Sequence, residues 1–134
     1  MLSYDQGMSK HETHLTRRYW ESIGGTLVEE FPAVARSKDN AQRLLDGVVI
    51  LGEKTQICKA YEVDVKDKDI VVIQTKANRV GMNLLGQAVF SAELMKSHKP
   101  KSIKAVAICT LGDSVLEPLA SKFGIEVIIY EEKS

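Results

Sequence analysis

The stretch Ile70-Val71-Val72-Ile73-Gln74-Thr75-Lys76 decides how this chain folds. Four consecutive β-branched residues with no polar interruption read as a strand buried on both faces, which suits a sheet covered by helices. The run ends in Gln74 and Lys76, which stand two residues apart and so point to one face of the strand. A polar pair leaving the end of a buried strand marks a place where the sheet meets solvent or a ligand. Strands also end in polar residues without any function, so the pair alone decides nothing.

Toward the C-terminus, helix and strand alternate. A helix is predicted over 82–97, with apolar residues around most of its circumference, so it is expected to lie largely buried; Pro100 closes it. A second buried strand follows over 103–109, then a helix over 113–123 that stops at Gly124, then a last strand over 125–130. Asp113 or Ser114 supplies the N-cap of that helix. Buried strand–helix–strand units need crossover connections, so at least part of the sheet is parallel.

Toward the N-terminus, 66–69 is a charged turn, and 56–65 reads as a strand with Tyr61, Val63 and Val65 on one face. Glu62, Asp64 and Lys66 occupy the other face. The apolar run 44–51 contains a single acid, Asp46, and is followed by a turn at 52–54. Residues 33–43 are polar, with room for one helical turn, and 26–31 forms a short strand ended by Pro32. Ser9 and Glu12 make a capping-box pattern for a first helix that runs to about Ser22 and stops at Gly24-Gly25. The chain is thus expected to be a flexible tail over 1–9 and one α/β domain over 10–134.

Composition sets the outer limits. At 134 residues the chain fits one domain, and its 44% apolar and 27% charged residues are those of a soluble globular protein. No apolar run approaches the roughly 20 residues of a membrane helix, and 1–10 lacks the apolar core of a secretory signal. The two cysteines, Cys58 and Cys109, read as buried thiols in a reducing, cytoplasmic setting. A formal net charge of zero excludes coating nucleic acid by bulk charge but leaves room for a local patch. Four lysines and no acid lie between Lys96 and Lys104, which suits a solvated loop or a phosphate contact equally well.

Three further features bear on chemistry. Asp46 sits among Leu44, Leu45, Val48, Val49 and Ile50, where a carboxylate is costly unless it is paired or bound to metal; Asp46-Gly47 is also a common turn dipeptide. Glu12, Leu15, Tyr19 and Ile23 share a helical stripe, so Glu12 faces the sheet or else serves the cap. Asn83, Gln87 and Ser91 recur at i+4, which is a polar seam or part of a site. The segment His11-Glu12-Thr13-His14 lacks the histidine spacing of a zinc helix, and no phosphate-binding loop, dinucleotide fingerprint or nucleophile elbow occurs.

Asp46 followed by Gln74-Thr75-Lys76, in this order of elements, resembles the PD-(D/E)xK nuclease superfamily in the variant where Gln replaces the second acid. Mrr-like restriction nucleases and some RecB-like nucleases show that form. Gly86-Gln87-Ala88-Val89-Phe90 is similar to the RecB-like segment in which a glutamine follows the core lysine. The resemblance spans 10–130. It implies a restriction-endonuclease-like core, a mixed sheet flanked by helices in the order αβββαβ with a further αβ. Asp46 would be the metal-binding acid, Gln74 would offer its side-chain oxygen, and the carbonyl of Thr75 would complete the shell of Mg²⁺ or Mn²⁺. Lys76 would orient the attacking water or stabilise charge on the phosphate, with Glu12 and Gln87 in support. Arg17, Arg18, Arg36, Lys38 and Arg79 are candidates to hold a DNA backbone.

The activity so implied is metal-dependent hydrolysis of DNA phosphodiesters, of restriction, repair or junction-resolution type, by a homodimer or with a partner protein. The alternative is a nuclease-fold module that binds nucleic acid or a protein without turnover. An unrelated α/β protein with a small-molecule partner is a third reading. Two departures from the family pattern matter. Gln74 is neutral, which weakens the site for a hard cation. The stretch from Asp46 to Gln74 is long, which an inserted turn near 52–56 explains; without one, Glu62 or Asp64 would be the better acid.

Overall fold

The computed structural model describes residues 9–132, so the tail expected over 1–9 lies outside the described residues except for Ser9. Helix α1 (Lys10–Ile23) begins on the expected capping box: Ser9 Oγ accepts from Glu12 N at 3.2 Å, and Glu12 Oε1 accepts from Ser9 N at 3.4 Å. It ends at Gly24, in the left-handed region with φ 74°. Strands β1 (Thr26–Val34) and β2 (Arg43–Ile50) follow. Then come β3 (Gln56–Cys58), β4 (Asp69–Thr75), α2 (Met82–Met95), β5 (Ser102–Cys109), α3 (Leu116–Lys122) and β6 (Ile125–Ile129).

The six strands form one mixed sheet in the order β3-β1-β2-β4-β5-β6. β1–β2 and β2–β4 are antiparallel, while β1–β3, β4–β5 and β5–β6 are parallel. β4 is interior, and its β-branched run is buried on both faces as its sequence requires. Val71 and Ile73 pack with Leu15 and Tyr19 of α1, whereas Ile70 and Val72 pack with Met95 of α2. A third cluster joins Leu84 and Ala88 of α2, Ala105 and Ala107 of β5 and Ala120 of α3.

Several expectations are corrected. β1 does not stop at Pro32 but continues to Val34, with Pro32 opposite Leu44. The strand can carry a proline there because β3 flanks it only from Thr26 to Val28, and beyond that no strand pairs with its outer side. Residues 35–42 contain no helical turn. The strand expected over 56–65 is only β3, followed by a 3₁₀ turn over Ala60–Glu62, where Glu62 accepts from Lys59 N at 2.7 Å. α3 starts later than expected because Asp113 Oδ1 takes the amides of Val115 and Leu116, both at 2.9 Å. α2 is less buried than its composition suggested: Met82 is 78% and Phe90 70% exposed.

The sheet forks at one point. β2 pairs with β4 only from Ile50↔Ile70 to Gly47↔Ile73, yet β1 follows β2 on to Arg43 and β5 follows β4 on to Thr75. The long stretch between Asp46 and Gln74 is the excursion of the chain to the far edge at β3 and back.

At the fork the alternation of faces also slips. Val28 and Val48 lie on the α2 side and Leu27 and Val49 on the α1 side, so regular alternation would put Phe31 and Leu45 under α1. Both instead join the α2-side cluster. The slip falls between Glu29↔Gly47 and Phe31↔Leu45, where the ladder skips the rung of Glu30 and Asp46. Glu30 there has φ 51°, the left-handed region that costs a non-glycine residue about 1 kcal/mol.

Gly47 lets α1 settle against the fork, since a Cβ there would lie 3.2 Å from Thr16 Cγ2 and 3.3 Å from Leu27 Cδ1. Gly47→Val is expected to lower the unfolding free energy by about 2 kcal/mol or more through overpacking. Gly86→Ala, inside α2 where an added Cβ meets nothing within 4 Å, is expected to raise it by roughly 0.5–1 kcal/mol. Urea titrations of the two variants check both signs.

Candidate active site

The fork opens a cavity of about 840 Å³ outside the carboxyl end of β4, the edge at which open α/β sheets commonly bind ligands. Arg43, Leu44, Leu45 and Asp46 line one limb, and Gln74, Thr75 and Lys76 line the other. Gln87, Phe90, Ser91 and Leu94 face it from α2, and Glu12 reaches it from the start of α1.

Asp46 bridges the limbs. Beyond Ile73 the amides of β4 have no ladder partner in β2, and Asp46 Oδ2 takes the first of them, Thr75 N, at 2.8 Å. Asp46 lies next to the phase slip in β2. Burial pushes its carboxyl up to about 6; the Thr75 amide opposes that shift, the charges of Glu12 and Glu30 add to it, and Lys76 offsets part of it.

Gln74 forms the floor at 6% exposure, and its Nε2 donates to Ser91 Oγ at 2.6 Å. One amide hydrogen is so used; of the groups that remain, the acceptor Oε1 is the one Gln74 can offer a cation. Lys76, on the same face as expected, is exposed in the cavity. Thr75 points the other way, and its hydroxyl shares a 2.7 Å hydrogen bond with that of Thr16 in α1.

Glu12 does both things its spacing allowed. Oε1 serves the capping box while Oε2 accepts from Ala77 N at 3.1 Å, strapping α1 to the end of β4. The polar seam of α2 likewise faces the cavities: Ser91 holds Gln74, Gln87 lines the cavity, and Asn83 lines a second one beside it.

The basic candidates divide. Arg36 lines the main cavity and Arg79 the second one, where its Nη1 also donates to Gly112 O at 2.6 Å. Arg17 makes a two-pronged ion pair with Glu29, and Arg18 lies over the Tyr130 ring at 4.0 Å; neither lines the cavity. Lys38 is exposed in the loop after β1 and is not among the lining residues. The lysines from 96 to 104 lie toward the start of β5, where even Lys104, opposite Val71, is four residues and roughly 13 Å from Thr75 along the sheet. Two of them pair with Glu93 and Glu126.

Glu62 and Asp64 stand outside the cavity, and Asp64 Oδ1 accepts from Lys66 N at 2.9 Å. The acid that the spacing argument missed is Glu30. Its signal was the pair Glu29-Glu30 inside an otherwise apolar strand, which breaks a period of two. Arg43 was missed because it sits at a strand start, where cations are common. Compared with family models, curated proteins and solved structures, the chain gives no significant match.

The raised Asp46 carboxyl has a definite sign in stability. Above pH 6 the acid is ionised in both folded and unfolded chains, and the fold bears the desolvation cost. Below the ordinary value of 3.8 both are protonated and the cost disappears. Asp46→Asn is therefore expected to stabilise the protein at pH 7.5, by up to about 3 kcal/mol. The gain over wild type should shrink as pH falls from 7 to 4, in paired denaturation curves.

Proposed function

We propose that the chain is a metal-dependent phosphodiesterase of the PD-(D/E)xK type, with Asp46, Gln74 and Lys76 at its centre and nucleic acid, in the first instance DNA, as substrate. The observation that carries this reading is the Asp46–Thr75 hydrogen bond, which brings an acid from one strand onto the Gln-Thr-Lys segment of another. The order of elements agrees with it. If the β3 excursion is set aside, the chain runs αβββαβ with a further αβ.

The donor set fits a hard divalent cation. After the hydrogen bonds to Thr75 N and Ser91 Oγ, Asp46 Oδ1 and Gln74 Oε1 remain as oxygen ligands. A partly buried carboxylate with like charges nearby is short of positive charge. Among the described residues no three His, Cys, Asp or Glu side chains gather to hold a metal ion, so the protein's share of the shell would be small. Mg²⁺ is commonly held in that way, by one or two carboxylates together with substrate phosphate. Asp46 and Gln74, with the Thr75 carbonyl, would hold Mg²⁺ or Mn²⁺, which when bound polarises the phosphate and lowers the pKa of a bound water.

The chain's own residues have distinct tasks. Lys76 offsets negative charge that builds on the phosphate. Gln87 and Ser91 fix the floor, with Ser91 holding the Gln74 amide so that its oxygen stays available. Arg36 and Arg43, which line the cavity, would meet flanking phosphates. Glu12 locks the end of β4 by its bond to Ala77 N.

Cleavage of a panel of supercoiled plasmid, single strand, branched junction and RNA tests the reading. Cutting is expected with Mn²⁺ or Mg²⁺, to stop in EDTA, and to fall by about 100-fold or more in Lys76→Ala, with an unchanged circular-dichroism spectrum. No cutting at high protein concentration, or cutting indifferent to Lys76, would sink it; metal-independent binding indifferent to Lys76 would mark a binding module. Independently of turnover, Mn²⁺ is expected to raise the melting temperature of wild type and leave that of Asp46→Asn unmoved.

A further inference from the structure

α2 carries two apolar side chains that its amphipathic packing does not use. Phe90 is 70% and Met82 78% exposed, while Leu84, Ala88, Ser91 and Met95 of the same helix are buried. Single exposed apolar residues are ordinary on a protein surface. These two differ in where they stand. Phe90 lines the main cavity, and Met82 lines a second cavity of about 440 Å³. Lys76 and Gln87 line both, so the two cavities adjoin at the candidate catalytic lysine. Phe90 and Met82 are eight residues apart on one helix, about 12 Å along its axis, one in each cavity.

Charge gives the groove a direction. The main cavity holds three acids, Glu12, Glu30 and Asp46, against Arg36, Arg43 and Lys76. The second cavity is lined by Lys76 and Arg79 and by no acid, with Asn78 and Asn83 as neutral hydrogen-bonding groups. An anionic chain crossing Lys76 passes from a charge-balanced cavity to one lined by cations alone, with an apolar surface in each. Stacked, paired bases cannot use such surfaces, whereas unpaired bases can, because every base has a face to stack on an aromatic ring. The acceptor floor at Gln74 is also recessed, at 6% exposure, against Ser91 of α2.

We infer that the groove takes a single-stranded or locally unpaired nucleic acid, with Phe90 stacking on a base beside the scissile phosphate and Met82 contacting the strand beyond Lys76. This rests on the reading of the cavity as a phosphodiester-cleaving site and narrows its substrate class. Phe90 is a binding residue for the strand and acts on specificity.

The test is fluorescence anisotropy of a short labelled oligonucleotide and of its duplex, in EDTA and in Ca²⁺. Wild type, Phe90→Ala, Phe90→Trp and Phe123→Ala are compared; Phe123 is an equally exposed ring beyond the end of α3 and away from the groove. The single strand is expected to bind about 10-fold or more tighter than the duplex, and Phe90→Ala to weaken it by roughly 5- to 100-fold. Phe90→Trp should retain binding, with its indole emission quenched by the strand, and Phe123→Ala should match wild type. Equal affinity for strand and duplex, an unaffected Phe90→Ala, or no binding at all would overturn the inference. Cleavage by wild type together with any of those results would refute the stacking role alone. The expected binding pattern in a protein that never cuts would uphold the groove and refute the catalytic reading.

Discussion

The site hangs on the hydrogen bond from Thr75 N to Asp46 Oδ2. Where β2 and β4 part company, each leaves backbone groups without ladder partners, and an unpaired buried amide costs about 1–3 kcal/mol. The Asp46 carboxylate stands in for the missing strand at the first open position. It thereby ends the ladder without leaving Thr75 N unsatisfied, and it holds a charge inside the sheet that the solvent would otherwise have drawn outward.

The two helices complete the fork from opposite faces. α1 reaches it through Glu12 on Ala77 N and Thr16 on Thr75, and can approach because Gly47 has no side chain. α2 reaches it through Ser91 on Gln74. The end of β4 is thus fixed residue by residue, with alternate side chains held by alternate helices. Only Lys76, last in the segment, is left exposed, with its charge at the cavity. A chain with zero net charge can build such a place because its charges are separated locally, with three acids and three cations around one cavity.

Some conformational energy is committed here. Glu30 adopts a left-handed backbone at the rung that the β1–β2 ladder skips, and strain of that kind persists only where the surroundings fix it. The same rung carries the slip in alternation that lets Phe31 and Leu45 return to the α2-side core. Strain and phase slip are therefore one local event, next to Asp46.

Much of this was legible in the sequence. The β-branched run of β4, the capping box of α1, the parallel strand–helix–strand units and the shared face of Gln74 and Lys76 all follow from local periodicity and side-chain chemistry. Those rules act over a few residues and hold wherever the segment is placed. The errors fell where a neighbour decided. Pro32 continues a strand because β3 is too short to cover that edge, and 56–65 is mostly not a strand because only three of its residues find a partner in β1. The sequence by itself determined an α/β chain with a polar segment at the end of its most buried strand. Only the tertiary structure decided between Asp46 and Glu62 or Asp64 as the acid beside it, and brought Glu30 to the same cavity. It likewise decided that Phe90 and Met82 would stay exposed along the groove. Those outcomes depend on where β2 stops pairing with β4, which is a balance between distant strands and two helices that no local pattern records.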